Sequence, residues 1–207
     1  MLETIIVIIF VAIPAIVLHE CAHGWMANVL GDPTARQLGR LTLNPIKHID
    51  LVGTIVVPTV LYLIHFIGWT QSLLLFGWAK PVPVNFSRLN SPKRDMIIVA
   101  LAGPATNLCL AFLLVQLANL RFLPHFIDRY LVWGVVLNLG LALFNLIPVP
   151  PLDGSRVVSG LLPKSVEKAY SSLEPFGIII VIVLLNMKAF DFLDGVVYAT
   201  AYFLGLR

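Results

Sequence analysis

Apolar residues run along this chain in long blocks, and polar residues gather in the short stretches between them. The first block covers residues 4–30 and closes on Gly31-Asp32-Pro33, a combination that ends a helix. A polar stretch carrying Arg36, Arg40 and Lys47 follows. Residues 51–68 and 69–79 are apolar again, and read as a hairpin or as a span followed by a re-entrant segment. Lys80-Pro81-Val82-Pro83-Val84-Asn85 alternates and contains two prolines, which predicts extended backbone rather than helix. Blocks 96–120 and 130–148 predict two further helices. Block 175–206 is interrupted by Lys188, Asp191 and Asp194, so one kinked helix and two short ones both fit it. A helix crosses a bilayer with about 20 apolar residues. The pattern therefore predicts an all-α fold: a polytopic membrane helix bundle of about five to six spans, with a short re-entrant or extended hairpin segment at 51–85. All of residues 1–207 form one membrane-embedded domain in this reading.

Composition agrees. Of 207 residues, 58% are hydrophobic and only 12% charged, with a mean hydropathy of +0.91. A soluble domain carries roughly 25% charged residues, and a disordered one more charge with less hydrophobicity. Both classes are excluded. The formal net charge of +3 comes without a basic run, so no nucleic-acid partner is implied, and the lipid bilayer is the expected surroundings. Cys21 and Cys109 lie inside apolar blocks and imply no disulfide framework. Met1-Leu2-Glu3 has no basic residue and no small-residue cleavage site follows, so the first block reads as a retained helix rather than a signal peptide. No internal repeat is visible, and the polar connections are too short to hold an appended soluble domain. No oligomeric state is implied.

Loop charge gives an orientation, because cytoplasmic loops collect Lys and Arg. With the N-terminus outside and residues 51–79 returning to the side they left, loops 31–50, 80–95 and 149–175 hold ten of the fourteen basic residues on the inside. Arg121 and Arg129 remain outside.

Charge at membrane depth is costly and marks function. The first block carries His19-Glu20-Cys21-Ala22-His23. Two histidines four apart project from one helical face and can share a zinc ion, while the glutamate between them can act as general base on a metal-bound water. Catalytic zinc usually takes three protein ligands, so a third is needed. Asp153 is the best candidate, in Asn145-Leu146-Ile147-Pro148-Val149-Pro150-Pro151-Leu152-Asp153-Gly154. Irregular backbone at membrane depth is tolerated where it is buried or lines a wet cavity. On the residues alone, ligand and helix cap both stand as roles for Asp153. Helix rise supports a meeting: His19 and His23 lie about 22 to 28 Å along the first block, and Asn145 a similar distance along 130–148, from the same side.

These two motifs resemble the site-2 protease family of intramembrane zinc metalloproteases. GDPTARQLGRLTLNP, GWAKPVPVNF and ALAGPATN fit the family's compact branch without appended soluble domains, and the likeness runs from His19 to Ser155. The resemblance implies that His19, His23 and Asp153 bind one Zn2+ ion and that Glu20 activates water. The implied substrate is a transmembrane protein cut within or next to a spanning segment, in the cell membrane of a prokaryote and with the site toward the cytoplasm. Ser155 stands where the family usually has a second glycine; if that position needs positive φ, serine costs about 1 kcal/mol.

An oxyanion needs a hydrogen-bond donor besides the metal. Asn145 is the candidate for that donor or for holding the substrate strand, a helix-to-helix bridge being the alternative, and Asn107 in Gly103-Pro104-Ala105-Thr106-Asn107 comes next. His48 reads as a solvated loop residue on the site's side, with a supporting role behind the site as the alternative, His65 and His125 as interfacial, and Trp25, Trp69, Trp78 and Trp133 as interface anchors. Residues 76–85 pair with an extended substrate by strand addition or form a structural hairpin. The rival function is a membrane metal-ion transporter using the same His/His/Asp site, although transporters tend to show repeated halves.

Overall fold

The computed structural model describes residues 2–68, 77–120 and 124–206. Among them every regular element is helical, and four stretches are long and apolar enough to cross a membrane: Ile8–Val29, Pro92–Asn119, Ile127–Asn145 and Lys164–Leu185. A shorter apolar helix covers Leu51–Phe66. The chain is a polytopic helical membrane bundle, with four such spans where the sequence pattern predicts five to six. Among the described residues, the second block contributes the shorter helix at Leu51–Phe66, and the last block contributes Gly177–Asn186, which completes the Lys164–Leu185 stretch, and the shorter Phe192–Phe203. Trp69 and Arg121, and the part of the 51–85 hairpin at 69–76, lie outside the described residues.

The first helix runs as Leu2–Val7, a π turn at Ile8–Ala12, and α1 at Ile13–Val29. The π turn directly precedes Pro14, which has no N–H for the carbonyl four residues back, and the widened turn absorbs that gap. The same arrangement recurs where π-helical Leu51–Val56 leads into α2 (Val57–Phe66) with Pro58 in its first turn. The chain then returns to where it left: Trp78 N–H donates to Gly53 O at 3.2 Å, and the Thr54 hydroxyl donates to Trp78 O at 2.9 Å. Gly53 is required there, because a Cβ would lie 2.4 Å from the Trp78 indole.

Central to the bundle is α3 (Pro92–Asn119), which packs against α1, α4 (His125–Asn145) and α5 (Asp153–Leu161). The lower hydropathy of α5 and of α6 (Lys164–Ser171) gives way to fully apolar α7 (Gly177–Asn186). The C-terminal block resolves into two helices, since the chain turns after α7 with Lys188 at φ 56° and continues as α8 (Phe192–Phe203). One core cluster joins Ala111 and Val115 of α3, Val135 and Leu139 of α4, and Val197 and Ala201 of α8. A second joins Ala27, Leu89, Met96 and Val99 near the end of α1. Large apolar side chains such as Phe10, Leu113 and Phe203 face outward, as the lipid-facing side of a bundle requires.

Candidate metal centre

On α1 the spacing of four does what helix geometry dictates: His19 and His23 share one face and Glu20 and Gly24 the next. The first face turns toward α3 and the start of α5. His19 Nε2, His23 Nε2 and Asp153 Oδ2 form a near-equilateral triangle with edges of 3.1, 3.1 and 3.2 Å. Zinc bonds of 2.0–2.1 Å at the tetrahedral angle put donor atoms roughly 3.3 Å apart, so the triangle matches one face of a zinc tetrahedron. Among the described residues this is the group of His, Cys, Asp or Glu able to hold a metal ion.

Both imidazoles present the correct nitrogen. His23 Nδ1 lies 2.8 Å from the Val99 carbonyl, an acceptor, so that nitrogen carries the proton and Nε2 keeps its lone pair. His19 Nδ1 lies 2.5 Å from Asn107 Oδ1. Gly103 opens the space between them: a Cβ there would stand 2.4 Å from His23 Nε2 and 2.6 Å from His19 Nε2, where an ion would sit. Pro104 follows inside the helix and removes one ladder bond, which loosens α3 at the closest approach.

Asp153 arrives through the Pro-rich loop after α4. Gly154 is forced, since a Cβ would lie 2.2 Å from Leu146 O. Asp153 is the first residue of α5, which begins without a side-chain cap, and its carboxylate turns to the histidines instead. Ser155 is helical and outside the positive-φ residues, with its hydroxyl donating to Leu152 O at 2.7 Å, so it carries no strain.

Glu20 faces the extended segment at residues 77–85, where Val82 N–H donates to Glu20 Oε2 at 2.8 Å. Gly24, one turn on, lets Val82 approach α1, since a Cβ would lie 2.5 Å from Val82 Cγ1. The segment is held further by Lys80 N–H on His48 O at 2.8 Å and by Asn85 N–H on Asp32 Oδ2 at 2.6 Å. Asp32 is fully buried and also accepts from Thr34 N–H and hydroxyl. Burial alone would raise its pKa, but these hydrogen bonds outweigh burial and hold the carboxyl below its ordinary value.

A cavity of about 640 Å³ opens over the triangle, lined by His19, Glu20, His23 and Asp153 together with Val82, Asn145 and Trp78. Asn145 reaches it half-buried, with its amide donating to Leu141 O at 3.0 Å. Asn107 does not line it. It is fully enclosed between α1, α3 and α4, so the sequence's substrate or oxyanion role for it lacks contact, and its Oδ1 meets His19 instead. Trp78, expected as an interface anchor, is part of the cavity wall. Trp25 and Trp133 are exposed. His48 is buried, not a solvated loop residue, with Nε2 2.8 Å from Thr42 O. Sequence reasoning missed Asn138 and the Val82 amide. A polar side chain inside the apolar fourth block was a signal for the former; a backbone N–H leaves none.

The sequence profile of Peptidase family M50 matches residues 121–188. "Putative zinc metalloprotease YwhC" of Bacillus subtilis is 39% identical over 186 residues, covering 86% of this chain and 78% of that protein. This chain belongs to peptidase family M50, the site-2 protease family. Two relatives named "Putative zinc metalloprotease Rip2" are 30% identical in Mycolicibacterium smegmatis, over 84% of this chain and 64% of the relative, and 31% identical in Mycobacterium tuberculosis, over 87% and 67%. No solved structure matches the chain. Membership and these names indicate a zinc metalloprotease.

Proposed function

We propose that this M50 chain is a zinc-dependent intramembrane endopeptidase that hydrolyses peptide bonds in or near transmembrane segments of membrane-protein substrates. The observation that carries the reading is the donor triangle of His19, His23 and Asp153 with Glu20 on the adjoining helix face, all opening on one cavity. The three donors would hold one Zn2+ ion, which when bound would polarise a scissile carbonyl and lower the pKa of a water to about 7. Glu20 is the base beside them, suited to hold the water's proton and pass it to the leaving amine. The Val82 amide occupies one oxygen of the Glu20 carboxylate, leaving the other to face the cavity. Asn145 lines the cavity and would bond the oxyanion or the substrate strand, and the rest of the wall is largely apolar apart from the paired Arg156 and Glu174. Residues 77–85 offer an extended edge beside Glu20 for an unwound substrate. The protein sits in the cell membrane of a prokaryote with the site toward the cytoplasm.

The test compares wild type with Glu20→Gln, purified in detergent with zinc, on a model transmembrane substrate. Metal content should be retained and cleavage should fall by a factor of about 10² to 10⁴. Undiminished cleavage by the variant, or zinc flux into proteoliposomes with no cleavage by wild type, would overturn the reading; the second result would favour the transporter.

A further inference from the structure

Behind His19, two buried amides link α4 to the donor triangle. Asn138 lies on α4, outside every motif that marks the site, and is 3% exposed in an apolar helix. Its side-chain N–H2 lies 2.9 Å from Gly134 O, and a backbone carbonyl only accepts. That fixes Asn138 Oδ1 on the other side, facing Asn107 at 2.7 Å. Asn107 must therefore donate there, and it donates again to Ala15 O at 3.3 Å. Its own Oδ1 is left facing His19 Nδ1 at 2.5 Å. An amide oxygen only accepts, so His19 carries its proton on Nδ1 and presents an unprotonated Nε2.

We propose that Asn138 is a positioning residue for the metal centre: through Asn107 it sets which ring nitrogen of His19 is free to ligate the ion. The inference rests on the zinc reading of the donor triangle. In Asn138's absence, the Asn107 amide keeps only the longer bond to Ala15 O and can turn over. An amide N–H2 would then meet His19 Nδ1, which favours the tautomer protonated on Nε2 and closes the ligand position. Partners of this kind behind a metal-bound histidine are typically worth about 10- to 100-fold in metal affinity.

The experiment measures Zn2+ and Co2+ affinity, and the visible spectrum of the Co2+ form, for full-length wild type, Asn138→Ala, Asn107→Ala and the double variant in detergent. Asn138→Ala should bind about 10- to 100-fold more weakly. The double variant should bind no more weakly than Asn107→Ala alone, because Asn138 acts through Asn107. Thermal unfolding of the metal-free proteins controls for folding, and Asn138→Leu is the second variant: it fills nearly the same volume with no acceptor for Asn107 and should bind as weakly as Asn138→Ala. Wild-type affinity in Asn138→Ala, or fully additive losses in the double variant, would overturn the proposal while leaving the zinc reading intact. A wild type that binds neither metal would overturn both.

Discussion

Replacing one hydrogen of Gly103 by a methyl group would put a carbon 2.4 Å from one imidazole nitrogen and 2.6 Å from the other. Alanine is otherwise the better helix former by about 1 kcal/mol, so Gly103→Ala should leave α3 at least as helical. The expected result is a split: metal content well below one ion per chain, with helix content by circular dichroism unchanged. Full metal loading in the variant would show that the ion does not sit between these nitrogens. At the same scale, the members of the donor triangle were legible in the sequence as candidates: His19 and His23 by their spacing around Glu20, and Asp153 as a carboxylate at membrane depth whose role as ligand or cap the residues left open. What could not be read was the direction of side chains. Asn107 and Asn145 are both polar residues in apolar blocks, ranked only by motif position, yet one is sealed behind His19 and the other lines the cavity.

Elements are fixed here by few bonds, and residues 77–85 form none of the regular kinds. The two prolines that predicted extension leave Val82 as the one N–H in Pro81-Val82-Pro83, and Glu20 accepts it. At the far end, Asp32 joins the close of α1 to Asn85. Because its folded-state pKa lies below the ordinary value, Asp32 contributes stability that is fully present above about pH 4 and is lost as pH falls through the lower folded value. Asp32→Asn should therefore cost about 2 kcal/mol near neutral pH, a charge-assisted hydrogen bond's worth. The gap between variant and wild type should narrow on acidification below about pH 4. Thermal unfolding in detergent across that range checks it; a gap that stays constant to low pH would show that the carboxylate's charge is not what holds the segment. Sequence anticipated the extended conformation of this stretch and the helix stop at Gly31-Asp32-Pro33. It could not show that the two are tied together, since a contact between positions 53 apart leaves no local pattern.

For the molecule as a whole, apolar blocks gave the polytopic helical class, while the breaks within the blocks were not legible. A π turn before each of Pro14 and Pro58, and the turn at Met187–Asp191, depend on backbone adjustment that a hydropathy pattern does not register. The hydrogen bond from Trp78 to Gly53 brings the second block back to its starting point, the condition that the charge-based orientation needs. A membrane-impermeant thiol reagent provides the check, in cells carrying single cysteines on a background with Cys21 and Cys109 replaced by alanine. Ser165→Cys should be shielded in intact cells and labelled after permeabilisation, while Arg129→Cys should be labelled from outside. The reverse pattern would place the metal centre on the opposite face.

The donor triangle draws on positions 134 apart in the chain, a helix near its start and a loop that follows α4. An ion held there is a cross-link between the two ends of the bundle, and closing so long a loop in the unfolded chain carries a large entropic cost that the folded protein has already met. On the zinc reading, bound metal would stabilise the assembled bundle by mass action. The stoichiometry of retained zinc would then be an assembly assay in its own right: the donor triangle is not complete until α4 has packed and Asp153 has reached the histidines.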